Sequence, residues 1–131
     1  MRSVRFAPVV SVLVLVVCAV TLIGCGSNDH PTLTSVSVSP QQATGTATVG
    51  KVQFTATGNF SNNTNRQLTS TDGVIWSTSD TTTATIDSSG AASCLNNGTV
   101  SVTATEPANT GANNTPNDES GTATLKCLLA G

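Results

Sequence analysis

The sequence predicts an all-β protein, a small sandwich of two sheets, and three observations carry that expectation. Apolar residues recur at every second position in several short runs, the period of a strand with one buried face. Charged residues make up 9% of the chain and aromatics 3%, with Thr, Ser, Asn and Gly prominent, a mixture that suits strands and turns better than amphipathic helices. Strands that each bury one face need a second sheet to bury it against. At 131 residues the chain has room for one domain.

The N-terminal segment, residues 1–24, reads as a signal peptide. Arg2 and Arg5 form a short positive region, and Val9 to Ile23 is nearly all apolar, which is shorter than the roughly 20 apolar residues of a spanning helix. The segment ends Leu22-Ile23-Gly24-Cys25, which resembles a bacterial lipobox. That resemblance implies that Cys25 takes a diacylglyceryl group and becomes the new N-terminus, with two or three acyl chains in the mature form. One chain alone binds a bilayer only marginally, at about 0.8 kcal/mol per buried methylene, so several are needed for stable membrane anchoring. Gly26 and Ser27 stand where Asp is the usual inner-membrane retention signal, so the expected place is the cell envelope, at the outer membrane if the host is diderm. Cys18 reads as a small hydrophobe lost with the peptide. Residues 25–32, CGSNDHPT, read as a polar tether.

The domain follows over 33–131. Leu33 to Ser39 is a first strand with Val36 and Val38 on one face, closed by Pro40. Gln41 to Gly50 holds a short edge strand, and Lys51 to Phe60 reads as one central strand free of Pro, with Val52, Phe54 and Ala56 in phase. The run from Ser61 to Gly73 is almost wholly polar and reads as a loop, its Asp72-Gly73 turning into the next strand. Val74 and Trp76 then share one face, Ala84 and Ile86 share another, and Ser88-Ser89-Gly90 turns the chain. A short strand near Ala92 to Leu95 is joined by Asn96-Asn97-Gly98 to a strand with Val100, Val102 and Ala104 in phase. Glu106 to Ser120 lacks apolar periodicity and reads as a long flexible loop before a last strand with Ala123, Leu125 and Cys127 in phase. The core is therefore expected to contain Phe54, Val74, Trp76, Ile86, Val100, Val102 and Leu125. Trp76 reads as its packed centre, with the indole N–H on a backbone acceptor; an exposed sugar-stacking platform is the alternative.

In chain order, TSVSVSP, VGKVQFTATGNFSN, LTSTDGVIWSTSD, ATIDSSG, NNGTVSVTAT and GTATL resemble the bacterial immunoglobulin-like domain of group 2, the module of intimin- and invasin-type adhesins. The likeness covers Leu33 to about Leu128 and departs from the family in the insertion from Glu106 to Ser120 and in the two cysteines. It implies an Ig-like antiparallel sandwich of about seven strands, serving as a spacer, a rigid surface module or an adhesive domain, with no catalytic residues to carry over.

With Cys25 lipidated, Cys94 and Cys127 remain as an even pair, each on the core phase of its strand. An oxidising compartment favours a disulfide between them; two free thiols or half of a metal site are the alternatives. No cofactor or metal is expected. His30, the one histidine, lies in the tether, which does not suit a catalytic triad, and no enzyme activity is expected. Asp72, Asp80, Asp87, Asp118 and Glu119 read as solvated turn carboxylates rather than calcium ligands, Asp80 and Asp87 bonding turn amides. Past residue 24, three basic residues face seven acidic ones, a net charge of −4, so no nucleic-acid partner is expected. A protein or carbohydrate ligand remains open. It would dock on the loops over 61–72 and 106–120, where Phe60 and Leu68 are the candidates for an exposed apolar patch.

Overall fold

The computed structural model describes residues 30–46 and 50–129. The signal peptide, Cys18, the lipobox with Cys25, and the tether before His30 lie outside the described residues.

The protein is all-β, and ten strands stand among the described residues. Strand β1 (Leu33–Ser39) pairs antiparallel with β4 (Thr55–Phe60), and β4 pairs in turn with β5 (Asn65–Leu68). A register shift between Leu33 and Ser35 lets Leu33, Val36 and Val38 all turn inward, although strict alternation would put Leu33 on the other face. After Pro40 the chain crosses to the other sheet, where β2 (Gln42–Thr46) runs parallel to β10 (Glu119–Leu128). β10 also pairs antiparallel with β9 (Gly98–Glu106) over Glu119↔Glu106 to Cys127↔Gly98, and β9 with β6 (Ile75–Thr78). A third sheet joins β3 (Lys51–Gln53), β8 (Ala91–Cys94) and β7 (Ala84–Ile86).

The two three-stranded sheets meet along the segment from Lys51 to Phe60 and together face the four-stranded sheet β2–β10–β9–β6. The layers approach closely where Gly121 lies over the Val36 carbonyl; a Cβ there would come within 2.4 Å of that oxygen. Between them lies the core, with Phe54, Leu33, Leu125, Val38 and Val102 its largest fully buried apolar side chains.

Several expectations need correction. The strand expected over Lys51 to Phe60 is broken at Phe54: its N–H bonds the Gly90 carbonyl at 2.8 Å, one step beyond Gln53↔Ala91, and from Thr55 the chain pairs with β1 instead. The run from Ser61 to Gly73 is not wholly loop: Asn65–Leu68 forms β5, with Ala56↔Leu68 in register and Leu68 3% exposed. The pairing is not antiparallel throughout, because β2 continues the direction of β1 after the crossover and so meets β10 in parallel. Ten strands stand where about seven were expected, because the segment from Lys51 to Phe60 divides into β3 and β4, β5 is added, and the short edge strand β2 stands apart from β1 in the other sheet.

Candidate functional site

The break at Phe54 builds a surface cleft that the sequence did not reveal. β4 turns toward β5 above Phe54, while β3 stays with β8 below it, so the layer forks. The fork opens a cleft of about 180 Å³ floored by Phe54, Ala56 and Leu68, with Trp76 reaching into it from the opposite sheet. Its rim is hydroxylic and amidic: Thr55 and Gln67 from the strands, Thr69 and Ser70 after β5, Ser88 and Ser89 from the turn between β7 and β8.

That turn is held rigidly. Asp87 accepts from the Ser89 and Ala91 amides at 2.9 and 3.1 Å, and from the Ser89 hydroxyl, and it pairs with Lys51 at 3.1 Å. These bonds, the Ser89 hydroxyl first, hold its carboxyl well below the usual carboxylate range. Gln53 Nε2 donates to the carbonyls of Phe54 and Ser89 at 2.8 and 2.7 Å, stitching the turn to the broken strand. Gly90 closes the join. Its φ is +82°, and a Cβ there would come within 2.5 Å of the Phe54 carbonyl and 3.0 Å of Trp76 Cζ2, so the turn can press against the indole only with glycine at this position.

Trp76 therefore is not the packed centre that the sequence implies. It is half-buried, packed against the core from its edge, and no acceptor among the described residues meets its indole N–H. β6 is the outermost strand of its sheet, so its inward side chains sit at the rim of the core. Of the other expected core residues, Phe54, Val74, Val100, Val102 and Leu125 are buried, and Ile86 is half-buried against them.

Cys94 and Cys127 are joined as a disulfide with their Cα atoms 5.6 Å apart, within the usual span of about 4.4 to 6.8 Å. The bridge ties β8 in one layer to β10 in the other.

The loops expected to carry binding come together at one end of the sandwich, but they are closed. Gly111 packs on the Asp72 carbonyl, leaving no room for a Cβ. Glu106 is fully buried beneath them; its Oε1 accepts from the Ala112 amide at 3.0 Å, and its Oε2 is buried without a partner. Burial pushes its carboxyl above the ordinary range, with Asp72 adding to the shift and Arg66 opposing it. Arg66 pairs with Asp72 at 2.8 Å, and that bond holds the Asp72 carboxyl low. Asn113, also fully buried, donates to the Asn117 carbonyl at 2.7 Å and accepts from the Thr115 amide at 3.0 Å. The segment expected to be a long flexible loop is thus folded around two buried polar side chains. Phe60 and Leu68, the expected exposed patch, are 8% and 3% exposed and belong to the core, because the β4–β5 hairpin turns both inward.

Asp80 accepts from the Thr82 amide at 2.9 Å and from the Thr82 and Thr83 hydroxyls, which lower its carboxyl to about 2. Among the described residues, no three His, Cys, Asp or Glu side chains gather where they would hold a metal ion. The fork could not be read from the sequence, because a side-chain period continues unchanged through a backbone break; Glu106 had one signal, its place in phase after Val100, Val102 and Ala104, outweighed by its charge and by Pro107 beside it. No protein-family model matches this chain, and no curated protein matches it as a relative.

Proposed function

We propose that this chain is a lipid-anchored cell-envelope protein carrying one bacterial immunoglobulin-like module of group 2, with a structural or adhesive role and no catalytic chemistry. The observation that carries the compartment is the bridge between Cys94 and Cys127. Disulfides persist in oxidising compartments, which agrees with export by the signal peptide and with Cys25 being set apart for lipid. The sandwich itself supports the module reading: a two-layer β scaffold stiffened by a bond between its layers suits a surface spacer or display frame.

The test is Cys25→Ser, followed by membrane fractionation and mass measurement of the product. The protein should leave the membrane fraction for the soluble or unprocessed pool. Unchanged membrane residence with unchanged mass overturns the anchoring.

A second reading, an envelope receptor for a protein or carbohydrate, is favoured by the cleft at the fork rather than by the loops first expected to serve it. Its test is capture of envelope components by the purified protein, compared with Ser70→Ala and Ser88→Ala variants. Capture that is indifferent to the cleft rim returns the protein to a bare structural role.

A further inference from the structure

We infer that the cleft at the fork binds a single neutral pyranose ring, laid against the open part of Trp76 and hydrogen-bonded by the rim. The inference rests on the receptor reading of the same cleft.

The size of the cleft selects the ligand first. About 180 Å³ is below the roughly 300 to 1,000 Å³ of pockets that take drug-sized ligands, so one ring fits and a bulky side-chain cluster does not. The cleft is open at its rim, so a glycan chain can continue out of it from the seated residue.

Charge selects next. None of the residues lining the cleft is charged. The ionised residues next in sequence to the lining are already engaged: Asp87 with its own turn and Lys51, Arg66 with Asp72. A phosphate or carboxylate entering here would lose water and gain no counter-charge, which is costly. A neutral ligand avoids that loss.

The polar groups then separate a sugar from other neutral rings. Ser89 and Thr69 have committed their hydroxyls to Asp87 and Asp72. The hydroxyls of Thr55, Ser70 and Ser88 and the amide of Gln67 have no protein partner among the described residues, and neither has the Trp76 indole N–H. Five uncommitted hydrogen-bonding groups around one aromatic surface match a ring that is apolar on its C–H face and bears hydroxyls around its edge. A proline ring offers one carbonyl and no hydroxyl, and would use few of the hydrogen bonds that these groups offer. An indole with one apolar surface and a polar handle serves this kind of contact. The stacked surface is rigid, because Gly90 backs the indole and Gln53 and Asp87 hold that turn.

Trp76 is the chain's one tryptophan and there is no tyrosine, so its fluorescence reports the cleft alone. The purified protein is titrated with glucose, galactose, mannose and N-acetylglucosamine, with glucuronate as the charged comparator and a proline-rich peptide and adenosine as competing ring chemistries. At least one neutral sugar should shift or quench the emission with saturation, more tightly than glucuronate. Ser70→Ala and Ser88→Ala should each weaken that sugar by about 3- to 10-fold, the loss of one hydrogen bond, with an unchanged melting temperature. No response to any sugar, a response equal for glucuronate, or a response unmoved in both variants overturns the inference; so does a saturating response to the peptide or adenosine alone. If sugars fail while envelope capture still depends on Ser70 and Ser88, the pyranose falls and the receptor reading stands. If capture is also indifferent to them, both fall.

Discussion

Phe54 carries the centre of the sandwich, and Trp76 carries its edge, so truncating them should have different consequences. Phe54 is 1% exposed, and Phe54→Ala should cost about 3 to 5 kcal/mol, the range for deleting a fully buried aromatic. Trp76→Ala should cost less, because part of its ring is already in water and removing it leaves a smaller cavity. Urea unfolding of both variants measures the difference; equal losses would mean that the indole is as deeply packed as Phe54. The sequence made both residues legible as core-facing, since periodicity states which face a side chain takes. It does not state how far a strand lies from the middle of its sheet, and β6 is an edge strand. Glu106 shows the opposite failure. It stands on the inward phase of β9, two residues after Ala104, but its charge and the proline that follows make it read as the start of a solvated loop, and the loop that folds over it completes its burial.

Among the elements, β8 and β10 depend on each other through the disulfide. Reducing it, or replacing both cysteines with Ala, opens a loop with a sequence separation of 33 and should cost about 3 to 4 kcal/mol in the chain-entropy model. Against a usual margin of about 5 to 15 kcal/mol, that is large. Denaturation with and without reductant measures it, and a loss below about 1 kcal/mol would mean that the sheets hold β10 unaided. The strands of strong alternation, β1, β9 and β10, were legible in the sequence with nearly their observed bounds. β5 was not, because three of its four residues, Asn65, Arg66 and Gln67, are exposed and only Leu68 points inward, leaving no period to read. The fork at Phe54 was hidden for a related reason: Val52, Phe54 and Ala56 keep their alternation while the backbone changes partner.

At the scale of the whole molecule, its carboxylates pull stability in opposite directions as pH changes. Asp72, Asp80 and Asp87 all have carboxyls lowered below the ordinary 3.8, so the fold binds their protons less readily than the unfolded chain does. The stability they contribute is present above about pH 4 and is lost as pH falls through their lowered values. Glu106 is raised above its ordinary 4.5, so the folded chain holds its proton longer than the unfolded one. Its contribution is greatest below 4.5 and is eroded as pH rises through its raised value, when a buried negative charge must sit beside Asp72 and the Ala112 amide and Arg66 offset it only in part. The melting temperature should therefore peak in mildly acidic buffer, falling steeply in strong acid and gently toward neutrality. Glu106→Gln keeps the carbonyl that accepts from Ala112 and cannot ionise, so it should flatten the neutral side and leave the acid side unchanged. Asp87→Asn should do the reverse, lowering the melting temperature at neutral pH and converging with the parent protein in strong acid. Melting curves of the three proteins from about pH 2 to pH 8 decide it. A Glu106→Gln profile parallel to the parent's would mean that the buried carboxyl stays neutral throughout, and that the folded loop over it is indifferent to pH.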